Sequence, residues 1–176
     1  MDTRTRVPVG SATYNEVVEF LYDEAAMLDN QQLEEWGSLM AEDLSYTAPL
    51  RVTRSDADTG GKVVVTTKHF DDDYLSMMGR LGRLKVRSAW TEDPPSRARR
   101  LVTNILVWRT ARTDELEVRS NLLLARSRYE NYEYQLLTAA RTDVLRRVAG
   151  GGFKIARREV IVDQSSLGVP NLSVFL

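Results

Sequence analysis

The sequence predicts an α+β domain in which a long, curved antiparallel sheet wraps around about three helices from the N-terminal half. Two observations carry this reading. Apolar residues recur at helical spacing early in the chain, as in Tyr14, Val17, Leu21, Ala25 and Leu28. Later the pattern switches to alternation. Leu116, Val118, Ser120, Leu122 and Leu124 share one face of a strand, and Glu117, Arg119, Asn121, Leu123 and Ala125 share the other. The two central runs, Arg99 to Arg109 and Glu115 to Tyr129, flank a turn at Thr113-Asp114 and read as an antiparallel hairpin. Both exceed the usual strand length of about 5–6 residues, so the sheet is expected to curve strongly.

In chain order, Met1 to Ala12 is polar and contains Pro8 and Gly10, the composition of a flexible N-terminal arm, with a single domain from 13 to 176. Thr13 followed by Glu16 fits a capping box and opens the first helix. Asp29-Asn30 breaks it, and Leu33, Trp36, Leu39 and Met40 mark a second, shorter one. Leu44 to Thr53 reads as a strand that Pro49 forces to bulge or lie at an edge. Arg54 to Gly61 is a polar loop, and Lys62 to His69 is a β-branched strand. Asp71, Asp72 and Asp73 suit the positive N-terminus of a helix carrying Tyr74, Met77, Met78, Leu81 and Leu84. Pro94-Pro95 holds the segment before the hairpin out of helix and ladder. Tyr132 to Arg147 and Phe153 to Asp163 supply two further strands, with Gly150 to Gly152 turning between them. The final residues, Asn171 to Leu176, are apolar to the last, which is unusual for a solvated end.

Composition excludes several chemistries. The 24 Lys and Arg balance 25 Asp and Glu, a net charge of −1, so no global field draws the chain to nucleic acid or anionic lipid. No apolar run approaches the roughly 20 residues of a membrane span, and no signal-peptide core opens the chain. The expected location is cytoplasmic. With no cysteine and one histidine, His69, the chain lacks the ligands of a Rieske cluster, of a two-His one-carboxylate iron site and of a structural zinc site. Gly150-Gly151-Gly152 has no following Lys-Ser/Thr and is no phosphate loop.

Some residues admit a catalytic reading beside a structural one. His69, Tyr46, Tyr14 and Asp43 are candidates for acid–base work inside a cone, although a lone histidine on a strand more often serves structure. Asp71 to Asp73 suggest a metal, but a helix N-terminus explains them. Arg97, Arg99 and Arg100 suit an anion, or carboxylates within the fold or across a subunit boundary. Trp90 and Trp108 suit the core or an interface equally.

A run of short motifs resembles the β (small) subunit of aromatic-ring-hydroxylating dioxygenases nearly end to end. They are Glu19-Phe20-Leu21-Tyr22 with Glu24-Ala25 and Leu28-Asp29, then Trp36, Leu39 and Asp43. Next come Phe70-Asp71-Asp72, Ala89 to Arg97 with its Pro94-Pro95-Ser96-Arg97, and Arg100-Leu101-Val102-Thr103-Asn104. Val118 to Asn121, Ser127-Arg128, Arg141 to Arg147 and the closing Asn171-Leu172-Ser173-Val174-Phe175-Leu176 complete the set. Each is weak alone, and their order and spacing make them specific. The departure is in Tyr74 to Lys85, whose Met77-Met78-Gly79 is idiosyncratic.

The resemblance implies an NTF2-like (cystatin-like) cone and a structural role in dihydroxylation during aromatic hydrocarbon catabolism. It implies a catalytic α subunit bearing the Rieske [2Fe–2S] cluster and the mononuclear Fe(II), with no cofactor, metal or catalytic residue on this chain. It further implies a trimeric base within an α3β3 hexamer. The alternative is a stand-alone NTF2-like isomerase or dehydratase using a pocket His, Asp or Tyr. Three short helices cannot cover both faces of so long a sheet, and an apolar chain end favours burial. Trp90, Arg97, Arg99, Arg100, Asn104, Trp108, Phe175 and Leu176 are therefore the expected subunit-contact residues.

Overall fold

The structure, a computed structural model, describes residues 5–51, 63–85, 96–127, 134–164 and 175–176. Helices α1 (Ala12–Asp29) and α2 (Leu33–Ser38) come first, followed by β1 (Met40–Arg51), β2 (Val63–Asp73) and α3 (Tyr74–Lys85). Four strands complete the chain: β3 (Arg97–Arg109), β4 (Glu115–Ser127), β5 (Gln135–Arg147) and β6 (Phe153–Val162). They form one six-stranded sheet of order β2-β1-β6-β5-β4-β3. The pairing is antiparallel except between β1 and β6, which run parallel. Strands β3 to β6 are a meander of consecutive neighbours, as local alternation anticipates. The parallel pair joins elements far apart in sequence, which no local pattern announces.

Irregular register bends this sheet. The β3–β4 ladder slips between Thr103 and Leu106, where Asn104 adopts φ 54°, and the β5–β6 ladder slips between Val144 and Leu145. Such insertions increase local twist and let long strands wrap rather than lie flat. Pro49 sits between two register shifts of the β1–β2 ladder, so it bulges, on a strand that is paired on both sides. Gly150, Gly151 and Gly152 all have φ between 83° and 101°, which explains three glycines at the β5–β6 turn.

The helices lie against one face of the sheet. Val17, Leu21, Ala25 and Leu28 of α1 meet Val102, Ile105 and Val107 of β3 and the inward residues Leu116, Val118, Leu122 and Leu124 of β4 in one core cluster. That α1 stripe and the β4 face are the ones the sequence periodicities select. Helix α1 starts a residue before Thr13, because Ser11 Oγ accepts the Tyr14 N–H and acts as the N-cap. The three acids divide their roles. Asp73 Oδ1 accepts the Ser76 N–H at the start of α3, Asp72 pairs with Arg80, and Asp71 pairs with Lys68.

One expectation changes here. The segment whose composition suggests a flexible arm is bound from Thr5 onward. Val7 N–H donates to Val107 O, Arg109 N–H donates to Thr5 O, and Val7 is only 2% exposed. Because β3 ends the sheet, it offers unpaired backbone groups, and the arm takes them. Among the described residues no helix is long and apolar enough to cross a membrane.

Candidate functional site

The interior of the cone holds ionised side chains among its apolar ones. Glu24 occupies the apolar stripe of α1, Arg141 and Asp143 replace apolar residues on the inward face of β5, and Arg158 does so on β6. All four are at most 2% exposed. Arg158 sits at the centre with all five of its N–H groups engaged. Its Nε and Nη2 donate to the two Asp143 carboxylate oxygens at 2.7 and 2.9 Å. Nη2 also donates to Glu24 Oε2 at 3.0 Å, while Nη1 donates to Glu24 Oε1 and to Leu176 O at 3.3 Å. Trp36 Nε1 donates to Glu24 Oε1 at 3.1 Å. Arg141 lies 3.6 Å from Glu24 Oε2 and donates from Nε to Ser120 Oγ, but its Nη2 finds no hydrogen-bond partner among the described residues. Two guanidinium groups face two carboxylates, so the charges within this quartet cancel, as deep burial demands.

The titration behaviour follows from this packing. Burial pushes the Glu24 carboxyl up, but the charges of Arg158 and Arg141 and the hydrogen bonds from Arg158 and Trp36 outweigh it and hold its pKa at about 2. Burial pushes the Arg141 guanidinium down, and the like charge of Arg158 adds to that. For Arg158, burial opposes the charge, but Asp143 and Glu24 raise its pKa well above the ordinary value. Burial raises the Tyr46 phenol. A general acid or base near neutrality needs a pKa near the working pH and a reachable lone pair. Glu24 offers neither, and Tyr46 Oη is committed to Leu176, donating to its O and accepting from its N–H.

Glu24 makes stability pH-dependent. Its folded pKa of about 2 lies below the ordinary glutamate value of 4.5, so its stabilisation is full above pH 4.5 and disappears as pH falls through 2. The depression corresponds to about 3 kcal/mol. Urea unfolding followed between pH 5 and pH 2 will show this loss in the native chain. In Glu24→Gln, stability will start lower and fall less steeply over that range.

The residues proposed for catalysis are not gathered in one place. Tyr46 is fully buried, but Asp43, on the opposite face of β1, is 62% exposed and held by Arg146 at 2.8 and 2.9 Å. Tyr14 donates from α1 to Ile105 O, and half-buried His69 lies where the β1–β2 register shifts. Among the described residues no group of three or more His, Cys, Asp or Glu is placed to hold a metal.

The expected contact residues also divide. Arg97, Arg99 and Asn104 are exposed on β3. Arg100 points inward, pairing with Asp29 at 2.8 Å and donating to Phe175 O. Trp108 is covered by the Arg119 guanidinium, 5.0 Å from its ring, and by the Arg6 backbone bridge. Phe175 and Leu176, expected at a subunit boundary, lie inside this chain's own core at 3% and 0% exposure. The apolar driving force was read correctly, but the surface that satisfies it is intramolecular. Trp90 falls outside the described residues.

A shallow groove of about 400 Å³ runs between α1 and β3, lined by residues that include Tyr22, Ala26, Arg99, Leu101 and Thr103. Register places Arg99, Ala125 and Leu136 in one row across β3, β4 and β5, with Leu101, Leu123 and Thr138 in another row on the same outer face. Tyr22, Leu101 and Leu136 are 55%, 46% and 53% exposed. Glu24 and Asp143 stand in the sequence only as parts of the family-like motifs, without a role, and Arg158 stands in none. A charged residue at an inward position of an otherwise apolar stripe is the signal that finds them.

A curved sheet wrapped over three helices defines an NTF2-like cone of the α+β class. A putative scytalone dehydratase from Novosphingobium aromaticivorans shares this fold, with a TM-score of 0.62 at 16% identity over 90% of this chain and 89% of that one. A naphthalene 1,2-dioxygenase structure with indole in its active site aligns better, at TM-score 0.83 and 26% identity over 92% and 84% of the two chains. The family model described as "Ring hydroxylating beta subunit" matches residues 23–168. The benzene 1,2-dioxygenase subunit beta of Pseudomonas putida is 36% identical over 175 residues, covering 98% of this chain and 93% of that one. The biphenyl 2,3-dioxygenase subunit beta of Rhodococcus jostii is 33% identical over 171 residues, 96% and 91% of the two chains. The chain belongs to the ring-hydroxylating dioxygenase β-subunit family.

Proposed function

We propose that this chain is a non-catalytic structural subunit of an aromatic-ring-hydroxylating dioxygenase in the cytoplasm. It forms a trimeric base on which three catalytic α subunits assemble, and these bring the Rieske cluster and the mononuclear iron. One observation carries the reading: the ion quartet, Phe175 and Leu176 pack together in the described interior, where Glu24, Asp143 and Tyr46 are each committed to partners within the chain. The chain's lack of cysteine and its single histidine agree with iron lying elsewhere. The outer rows around Arg99, Leu101 and Leu136, with Arg97 and Asn104, are the surface we assign to subunit contacts.

Co-expression with a Rieske-type α chain tests this. Native mass measurement should give equal numbers of the two chains in threes, and the isolated β chain should carry no stoichiometric iron. Replacing Leu101 and Leu136 together with Glu should leave the isolated chain's stability within about 0.5 kcal/mol while weakening assembly. His69→Ala should keep the turnover of the assembled enzyme. A drop of about 10²-fold or more, the scale of a lost general acid or base, would return the site to an isomerase-like role.

A further inference from the structure

Phe175 and Leu176 are held in the manner of a bound ligand. Their contacts come from side chains on five separate elements, and their main-chain atoms are recognised individually. Phe175 O accepts from Arg100 on β3, from Nη2 at 2.8 Å and Nε at 3.3 Å. Leu176 N–H donates to Tyr46 Oη on β1 at 3.1 Å, and Leu176 O accepts from that hydroxyl and from Arg158 Nη1 on β6. The Phe175 ring lies 4.6 Å from the Trp36 ring of α2 at 35°, and the Arg80 guanidinium of α3 stands 4.9 Å from its centroid. The receptor side is itself fixed from behind. Asp29 holds Arg100, Asp72 holds Arg80, and Glu24 and Asp143 hold Arg158. Trp36, Tyr46 and Arg158 are fully buried, and Arg100 is 8% exposed.

We propose that the cone interior is a ligand site for an N-acyl dipeptide or its chemical equivalent, filled in this chain by its own Phe175–Leu176. The matching ligand carries an aromatic ring, then an amide whose carbonyl meets Arg100, then an N–H and an acceptor oxygen that meet Tyr46 and Arg158. Recognition at the second residue runs through main-chain atoms and through burial of the Leu176 side chain in the apolar core. At the first it runs through a slot between an indole face and a guanidinium, which selects an aromatic ring. Because the anchoring side chains are held by their own ion pairs, the site is preorganised and survives loss of its occupant.

The test removes the occupant and returns it in trans. A chain lacking Phe175 and Leu176 is melted with and without N-acetyl-phenylalanyl-leucine, and binding is measured by calorimetry. The peptide should raise the melting temperature with concentration, and N-acetyl-alanyl-leucine should bind at least about tenfold more weakly for want of the ring. The intact chain should respond to neither. A second arm uses full-length Phe175→Ala, which keeps the main-chain clamp and empties only the aromatic slot. Toluene, the analogue of the missing side chain, should bind there and raise its melting temperature, as small arenes do in engineered apolar cavities. A shortened chain that gains nothing from the phenylalanyl peptide, folded or unfolded, overturns the proposal, as does equal binding of the alanyl peptide. A folded Phe175→Ala chain indifferent to toluene overturns the aromatic slot.

Discussion

Replacing Arg158 with methionine will destabilise the chain by about 3–5 kcal/mol, the cost of stranding charges in a buried ion-pair network. All five of the guanidinium's N–H groups are spent on Glu24, Asp143 and Leu176 O. Without it Arg141, 3.6 and 4.0 Å away, is the cation left to the two carboxylates among the described residues, and Glu24 keeps the Trp36 N–H. Urea unfolding should show a lower midpoint at an unchanged slope. Replacing Asp143 by leucine in the same chain should recover part of the loss, because it removes one stranded charge and leaves Glu24 facing Arg141. A loss below about 1 kcal/mol in Arg158→Met would mean that the network does not hold the interior together.

Trp36→Ala will cost about 3–5 kcal/mol through the cavity it leaves. The ring is fully buried at the meeting of three groups. Tyr46 packs edge-on at 6.5 Å, Phe175 lies at 4.6 Å, and Glu24 accepts from the indole nitrogen. Trp36→Phe separates the two contributions, since it retains much of the packing and removes the donor. That variant should lose about 1–3 kcal/mol, the range for a buried acceptor deprived of one partner. Equal losses in both variants would show that the hydrogen bond, and not the ring, dominates.

The order of elements was legible because helices and strands write different periods into sequence. The stripe from Tyr14 to Leu28 and the alternation of β4 each appear at the face predicted. The parallel pairing of β1 with β6 was not legible, because it depends on contacts more than a hundred residues apart. The interior ions were hidden for a different reason. Arg141, Asp143 and Arg158 sit in charged stretches that resemble a solvated surface, and only strand parity turns them inward. The chain end was legible as apolar and misplaced as to its cover. Burial is demanded by composition, but whether a chain covers itself or a neighbour covers it depends on geometry.

The edge of the sheet at β3 carries a last consequence. Ser96 O, Arg100 N, Ile105 O, Val107 O and Arg109 N all face away from β4, and each already has a partner in Gln31, Asp29, Tyr14 or the N-terminal segment. A row of open amides is what lets identical sheets zip into one another without limit. Here those positions are taken before any neighbour arrives. Copies that crowd against these positions therefore meet side chains, whose shapes and charges discriminate, and not a peptide ladder, which accepts any strand. Continuous strand addition is interrupted at these positions, and contacts made there are left to specific surfaces that a finite assembly can satisfy.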